Sequence, residues 1–395
     1  MVSAVLQSAC SEYDEGGETA NPLPTGGNLS GAPDAFVSMV GPNTGGLSMP
    51  QVTPANATTG TPGPNVPNPT VSPSPVGVGS QITFDYYIYN TGDPVPGVVF
   101  TDYHALLDDP DLEAAIICLP NFLHFPASLA ALERSKHVLC EKPPTMNAAE
   151  MKVLRDEAAK RNLIYFFGRQ FRFTPAIRTA HEIIAEGRLG RIYRARATWV
   201  RSRGIPGGIG SWFTDKKRSG GGALIDIGVH ALDTAWYLMG TPRPTSISAK
   251  VFRNFAHFVS VPIFDVEDEA HAFIRFANDT FVELETSWAS NLTDDTPVGP
   301  EWVGRESNNA VLFGTKGTLR IKPLTLFEDQ NGKLVTVPVE PRYSDNSFEM
   351  QLQNFAAAIR GELPAINNAE QAFQLMEMID GIYASNELGR EVPIP

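Results

Sequence analysis

The sequence predicts an α/β chain in which a partial parallel sheet is followed by an α+β region with a large open antiparallel sheet. Residues 114–120 form a short apolar run typical of a buried parallel strand, a helical segment follows, and residues 137–140 form a second apolar run. Two strands joined by a helix make a β-α-β unit. Towards the C-terminus, alternating strands with tight turns at Asn278-Asp279 and Asn331-Gly332 indicate antiparallel hairpins.

Composition and periodicity divide the chain into four segments. Residues 1–76 are rich in Gly and Pro and show no sustained helical or strand period, so we predict a low-complexity, disordered segment. Residues 77–101 contain a segment with the alternating side chains of a β-strand, a turn and a second short strand, which predicts a β-hairpin. Residues 102–172 carry the β-α-β part, and residues 173–395 form the α+β domain.

The charge distribution argues against a nucleic-acid partner. The net charge is −13, and all 31 Lys and Arg residues lie at or after Arg134, so the excess negative charge precedes that residue. No basic patch is evident that could neutralise a phosphate backbone. The three cysteines do not make a disulfide framework, and no apolar run approaches the ~20 residues that span a bilayer. We therefore expect a cytoplasmic protein with no membrane partner.

The stretch from Ser219 to Asp233 combines a glycine turn with two groups suited to proton transfer. Three consecutive glycines precede an apolar, helix-compatible run. Asp226 and His230 are four residues apart, so on a helix they share one face. A carboxylate beside an imidazole can position and tune a proton acceptor near neutral pH. On spacing alone, a capping Asp and a core His are the more frequent explanation.

Further polar residues follow the two predicted parallel strands. Asn121 and His124 come after the first strand, and Lys142 follows the second. In such sheets, ligands bind at the carboxyl ends of the strands. A lysine at this position can donate to a substrate hydroxyl and favour its alkoxide-like form. The alternative is a surface lysine after a strand.

These residues carry a resemblance to a known family. Three signatures occur in order: Asp109 to Asn121 with His124, then Glu141-Lys142-Pro143, then Gly220 to Asp233. With them the chain resembles the Gfo/Idh/MocA family, which takes its name from glucose–fructose oxidoreductase, inositol dehydrogenase and a rhizopine-catabolism protein. The resemblance extends from about Thr101 to the C-terminus. It implies a Rossmann-type sheet followed by a substrate and oligomerisation domain, NAD or NADP as cofactor, and a dimer or tetramer.

The resemblance also implies a reaction and a set of site residues. The reaction is oxidation or reduction at a hydroxyl carbon of a sugar or polyol. The implied catalytic trio is Lys142, Asp226 and His230, in which His230 removes the hydroxyl proton, Asp226 orients the substrate or tunes His230, and Lys142 polarises the oxygen. The residues implied at the cofactor are Pro120, Asn121, His124, Glu141 and Lys142.

Two residues outside these signatures are candidates for substrate contact. Trp212 could stack on the C–H face of a sugar, or it could be a core Trp. Arg201 could hydrogen-bond substrate hydroxyls, or it could belong to a solvated strand edge. No Cys/His cluster has the spacing of a zinc site, so we expect no metal.

The phosphate-binding unit that the family places first is missing from the sequence. A strand, a Gly-x-Gly-x-x-Gly turn and a helix would hold the cofactor pyrophosphate. The one candidate, Gly77-Val78-Gly79, follows prolines and precedes no helical pattern. The front of the chain is an unrelated fusion or sequence artefact, a natural variant that holds the cofactor differently, or a sign that no dinucleotide binds. The functional alternatives are an NAD-dependent glycosidase of the same fold and a non-catalytic binding or scaffold protein.

Overall fold

Two β-sheets with helices packed against them organise the described part of the chain. The computed structural model describes residues 103–110, 112–206, 212–291 and 306–395, together with the backbone of three strands nearer the N-terminus. Apart from one of these strands, at Phe36–Val40, the segment 1–76 lies outside the described residues. The Gly77-Val78-Gly79 turn also lies outside them.

The first sheet has six strands. They are β1 (Phe36–Val40), β2 (Asp85–Tyr89), β3 (Val99–Phe100), β4 (Ala114–Cys118), β5 (His137–Cys140) and β6 (Tyr165–Phe167). Their order is β3-β2-β1-β4-β5-β6, and β1, β4, β5 and β6 run parallel. The β2–β3 and β1–β2 pairs are antiparallel, and β2 and β3 lie where the sequence predicts the hairpin.

Three helices belong to this sheet. They are α1 (Tyr103–Leu107), α2 (Asn121–Glu133) and α3 (Ala148–Arg161). The sequence pattern predicts this crossover helix over residues 125–134, but α2 begins directly at the end of β4, so Asn121 and His124 lie in its first turns. The side chain of Asn147 caps α3 by accepting a hydrogen bond from Glu150 N at 2.9 Å, which is the usual role of Asn at a helix start.

The second sheet has nine strands and is mixed, whereas we expected it to be antiparallel throughout. Its strands are β7 (Ile192–Arg201), β8 (Pro244–Phe252), β9 (Glu269–Phe276), β10 (Phe281–Ser287), β11 (Glu306–Gly314), β12 (Gly317–Arg320), β13 (Thr325–Gln330), β14 (Lys333–Pro338) and β15 (Val392–Pro393). The order is β14-β13-β12-β11-β7-β10-β9-β8-β15. One pair, β7 with β10, is parallel because the chain reaches β10 by a crossover that includes a helix.

Five further helices follow the first sheet. They are α4 (Pro175–Ala185), α5 (Lys216–Ser219), α6 (Val229–Leu238), α7 (Ser347–Ile359) and α8 (Ala369–Leu388). The helix predicted after the glycine turn is not α-helical throughout, because Leu224–Gly228 forms a π-helical turn before α6. Asp226 lies in this π turn and His230 lies in the first turn of α6. Such turns often occur at functional sites.

The second sheet buries one face and leaves the other partly exposed. Along β10, Val282 and Leu284 are buried, whereas Phe281 and Glu283 alternate with them on the more exposed side. The buried side chains join the main apolar cluster together with α6 and α8. No helix in the described residues combines the length and the apolar character needed to cross a membrane.

Candidate active site

A buried ion pair between Lys142 and Asp226 forms the centre of the site. Lys142 follows β5, and its Nζ donates to Asp226 Oδ1 at 2.9 Å and to the Asp226 carbonyl oxygen at 3.1 Å. The two side chains are 6% and 3% exposed. Because both partners are almost sealed from solvent, the amine is held in one position relative to the π turn.

The second oxygen of Asp226 is bound by Trp288, which follows β10. Trp288 Nε1 donates to Asp226 Oδ2 at 2.8 Å. Burial alone would raise the pKa of Asp226, but Lys142, Arg201 and the Trp288 hydrogen bond together lower it below its ordinary value. Asp226 is therefore a carboxylate at neutral pH, and both of its oxygens are occupied by donors.

His230 lies in an aromatic and cationic environment. Its ring packs edge-on against Phe171, with centroids 4.9 Å apart, and lies 5.5 Å from the ring of Trp199. Arg169 donates to His230 Nδ1 through Nη1 and to the His230 carbonyl oxygen through Nη2 at 3.0 Å. Burial, and then the charges of Arg169 and Lys142, hold the pKa of His230 well below its ordinary value. The imidazole is therefore neutral in this environment.

The glycine turn is held by Glu267, a residue that we did not predict. Glu267 Oε1 accepts hydrogen bonds from Gly222 N at 2.9 Å, from Leu224 N at 3.0 Å and from the Tyr383 hydroxyl at 3.0 Å. A Cβ on Gly222 would lie 1.8 Å from the Glu267 carbonyl oxygen, so no larger residue fits there. The turn therefore needs glycine for a close backbone approach.

Asn121 and His124 bind backbone groups of the loops around Lys142. Asn121 Nδ2 donates to Ser219 O at 2.7 Å. The His124 ring lies between two carbonyl oxygens, with Nδ1 2.6 Å from Pro143 O and Nε2 2.6 Å from Leu119 O. Burial lowers the pKa of His124 to about 4, so the ring is neutral and donates to one carbonyl at a time. Both residues thus connect the end of β4 to the segments that carry the site.

Glu141 adds a second buried carboxyl group at the end of β5. Burial raises the pKa of Glu141, and the charges of Lys142 and Arg169 only partly offset this. Its Oε2 accepts a hydrogen bond from Lys142 N at 3.2 Å. A Cβ on Gly168 would lie 3.1 Å from Glu141 Oε1, so β6 approaches this carboxyl group closely.

The two candidate substrate residues lie in different surroundings. Arg201, at the end of β7, is 1% exposed, and its Nε donates to Glu306 Oε2 at 2.9 Å. Its charge contributes to the lowered pKa of both Asp226 and His230. Trp212 is half-buried and stacks on Phe213 with centroids 3.9 Å apart. Among the described residues, no hydrogen bond or ring contact connects Trp212 to the Lys142–Asp226 pair.

A small cavity opens beside His230. It leaves about 30 Å³ for the centre of a water molecule, which is room for one or two waters. Trp199 and Asn308 line it together with Lys322, and burial lowers the pKa of the Lys322 amine to about 7. Within the described ranges, no group of three or more His, Cys, Asp or Glu side chains is arranged to hold a metal ion.

The described residues fit the nicotinamide end of a dinucleotide. The carboxyl ends of β4, β5 and β6 meet at one edge of the sheet, where parallel α/β sheets bind nucleotides. Gln170, just after β6, has a buried Oε1 with no hydrogen-bond partner in the described part of the chain. An N–H or O–H donor of a bound ligand would satisfy this oxygen.

This fold and site define a Rossmann-type, NAD-binding oxidoreductase. Two family models match the chain: "Oxidoreductase family, NAD-binding Rossmann fold" over residues 93–169, and "GFO/IDH/MocA C-terminal domain" over residues 177–320. The chain belongs to the Gfo/Idh/MocA family. The resemblance inferred from the three signatures is thus confirmed, as is the predicted fold class.

Individual relatives agree with this assignment. The D-glucoside 3-dehydrogenase of Escherichia coli is 31% identical over 305 residues, which cover 75% of this chain and 83% of the relative. The levoglucosan dehydrogenase of Pseudarthrobacter phenanthrenivorans is 32% identical over 203 residues, which cover 47% of this chain and 52% of the relative. A solved structure of levoglucosan dehydrogenase in complex with NADH superposes with a TM-score of 0.65 at 26% identity, covering 75% of this chain and 83% of that chain.

Proposed function

We propose that the chain is an NAD(P)-dependent dehydrogenase that acts on a hydroxyl carbon of a sugar or polyol. The observation that carries this proposal is the buried contact between Lys142 Nζ and Asp226, with His230 one turn further along the chain. An amine and an imidazole fixed in this way can bind the oxygen of a reacting hydroxyl. The names of the relatives make glucosides the first substrate class to test.

The residues of the chain divide the work of the reaction. A bound nicotinamide supplies a hydride acceptor or donor. Lys142 and His230 bind the substrate oxygen, and Asp226 holds the amine of Lys142 in place. Pro120, Asn121, His124 and Glu141 form the edge of the sheet against which the nicotinamide end of the cofactor would lie. Trp212 and Arg201 are proposed to contact the rest of the substrate.

A cofactor titration followed by turnover tests this proposal. NADH and NADPH fluorescence are titrated with the full chain, and NAD(P)H formation is then measured with methyl glucosides, levoglucosan and inositols. We expect saturable binding at micromolar concentration, and turnover that falls by about 10²–10⁴-fold in Lys142→Met. The matched control is Lys333→Met, because Lys333 is exposed in β14 and should leave turnover unchanged.

The same assay separates the two rival functions. Release of free sugar without net NADH formation would favour an NAD-dependent glycosidase. Absence of binding by either cofactor would favour a non-catalytic binding or scaffold protein, and it would contradict the proposed dehydrogenase. Binding with turnover that Lys142→Met leaves intact would contradict the assigned site.

We also propose that the exposed face of the second sheet joins copies of this chain. On this face, Phe273 stacks on Phe281 with centroids 4.4 Å apart, and the Arg194 guanidinium lies 3.5 Å from the centroid of the Phe313 ring. Aromatic residues and Arg are enriched in protein interfaces. Light scattering of the purified chain should therefore give the mass of a dimer or tetramer, and Phe273→Glu should shift it towards the monomer. A cytoplasmic location is proposed as well, since three cysteines are too few for a disulfide framework.

A further inference from the structure

Arg169 is fixed in place by contacts on several sides. It follows β6, and its side chain is fully buried. Its Nε lies 2.9 Å from Asp233 Oδ2, and its backbone N donates to Gln351 Oε1 at 2.7 Å. Its two terminal nitrogens donate to the ring and to the carbonyl oxygen of His230. The guanidinium therefore has little freedom to move away from the imidazole.

This contact determines which ring nitrogen of His230 carries the proton. A guanidinium can only donate hydrogen bonds, so Nδ1 of His230 must accept. In a neutral imidazole one nitrogen is an acceptor and the other carries the hydrogen. The hydrogen of His230 is therefore on Nε2, and Nε2 presents a donor to any oxygen that it contacts.

The surrounding charges oppose a second proton on this ring. Protonated Nδ1 would place an N–H against the N–H of Arg169. The other cations facing the ring are Lys142 after β5 and Arg201 at the end of β7, and Lys322 lines the cavity beside it. The carboxylates of Asp226 and Asp233 are engaged elsewhere, since Asp226 binds Lys142 and Trp288 while Asp233 binds Arg169 and Arg172.

We infer that Arg169 is a positioning residue that keeps His230 as the neutral Nε2–H tautomer, so that His230 donates a hydrogen bond to the reacting oxygen instead of taking its proton. The reaction role rests on the proposed dehydrogenase function, whereas the tautomer does not. In the oxidation direction the Lys142 ammonium group first releases a proton to solvent, and the resulting amine then takes the hydroxyl proton. In the reverse direction the ammonium group of Lys142 returns it. This differs from the role of proton acceptor that the family resemblance implies for His230.

Nitrogen NMR of histidine-labelled protein tests the tautomer without any substrate. The His230 signals are assigned by their absence in His230→Gln. We expect an unprotonated Nδ1 and a protonated Nε2, unchanged between pH 5.5 and pH 8.5. A proton on Nδ1 at neutral pH, or two protons on the ring, would overturn the inference even if the enzyme is active.

Variants of Arg169 test the cause. In Arg169→Met we expect the His230 signals to report a mixture of tautomers and to titrate with pH, because the donor and one facing cation are gone. Arg169→Lys keeps a cation beside Asp233 and serves as the folded comparison if the Met variant is unstable. Circular dichroism confirms folding in each case. An Nε2–H tautomer that persists unchanged in both folded variants would show that Arg169 does not set it.

The activity arm separates this inference from the proposed function. A glutamine side chain can donate through its amide but cannot take a proton at neutral pH. We expect His230→Gln to retain turnover within about 10-fold of wild type, and His230→Ala to lose about 100-fold or more. Equal, severe losses in both variants would contradict the donor role. If no variant and no wild-type sample turns over, the proposed function fails while the NMR result stands.

Discussion

Lys142 Nζ lies 2.9 Å from Asp226 Oδ1, although 84 residues separate the two in the sequence. Lys142 follows β5 of the first sheet, and Asp226 lies in the π turn that precedes α6. The pair therefore fixes the distance between the sheet edge, where the cofactor would lie, and the helix that carries His230. Its integrity should matter both for stability and for turnover.

We expect Asp226→Asn to destabilise the fold by about 3 kcal/mol, because it leaves the Lys142 ammonium buried without its counterion. The control is Asp156→Asn, which breaks exposed ion pairs with Lys152 and Arg155 and should leave the free energy of unfolding nearly unchanged. Urea unfolding at pH 7 measures both. Equal small losses would contradict a structural role for the buried pair.

The same variant should change the acid stability. The pKa of Asp226 is lower in the folded chain than in the unfolded chain. Its contribution is therefore present above the unfolded value of about 3.9 and is lost as the pH falls through the lower folded value. We expect the stability difference between wild type and Asp226→Asn to be constant from pH 7 to pH 5 and to shrink below pH 4.

Trp288→Phe should isolate the second hydrogen bond to Asp226. The change removes the Nε1–H donor while keeping an aromatic ring, and we expect a loss of about 1–2 kcal/mol and a clear fall in turnover. Trp236→Phe is the matched control, because Trp236 Nε1 donates to Pro242 O at 2.8 Å at the far end of α6. It should lower stability by a similar amount and leave kcat near the wild-type value. A loss of kcat in both variants would mean that lower stability, and not the hydrogen bond to Asp226, causes the fall in turnover.

The sequence predicted the regular elements better than the contacts that assemble the site. The alternating faces of residues 192–201 predict a strand, and β7 lies at Ile192–Arg201. The start of α2 was missed because Pro126 lies inside this helix, and Pro usually marks a helix start or break. β13, at Thr325–Gln330, was not predicted because only Leu326 and Phe327 are apolar and three polar residues end the strand.

The partners of the site residues could not be predicted because they are distant in the sequence. Arg169 and His230 are 61 residues apart, Trp288 and Asp226 are 62 apart, and Glu267 and Gly222 are 45 apart. One signal was present, since the charged Arg169 and the large Trp288 both lie within two residues of a strand end. The family resemblance supplied Lys142, Asp226 and His230, but it supplied neither the donor to Nδ1 nor the direction of the hydrogen bond.

Gly222→Ala should be severe for steric reasons. The added Cβ would lie 1.8 Å from the Glu267 carbonyl oxygen, and the turn that Glu267 holds would have to open. We expect a loss of about 3 kcal/mol or more, together with loss of turnover. Gly332→Ala is the control, because a Cβ there meets no neighbour and the cost of its φ of 79° is about 1 kcal/mol. Thermal unfolding that ranks the two variants in the opposite order would contradict the close approach.

Lys322→Met should stabilise the chain at and below neutral pH. Burial lowers the pKa of the Lys322 amine to about 7, whereas the pKa of a lysine in the unfolded chain is about 10.4. Between these pH values the unfolded chain binds a proton that the folded chain lacks. Protonation therefore lowers the free energy of unfolding, and this stability penalty grows as the pH falls from about 10.4 to about 7. Below pH 7 the penalty is constant. We expect Lys322→Met to gain about 2 kcal/mol of stability at pH 6.5 and nothing near pH 10.5, as measured by urea unfolding across this range.

Lys333→Met, at an exposed position, should show no such pH dependence. A gain in Lys322→Met that does not change with pH would mean that apolar packing, and not the buried amine, explains the difference.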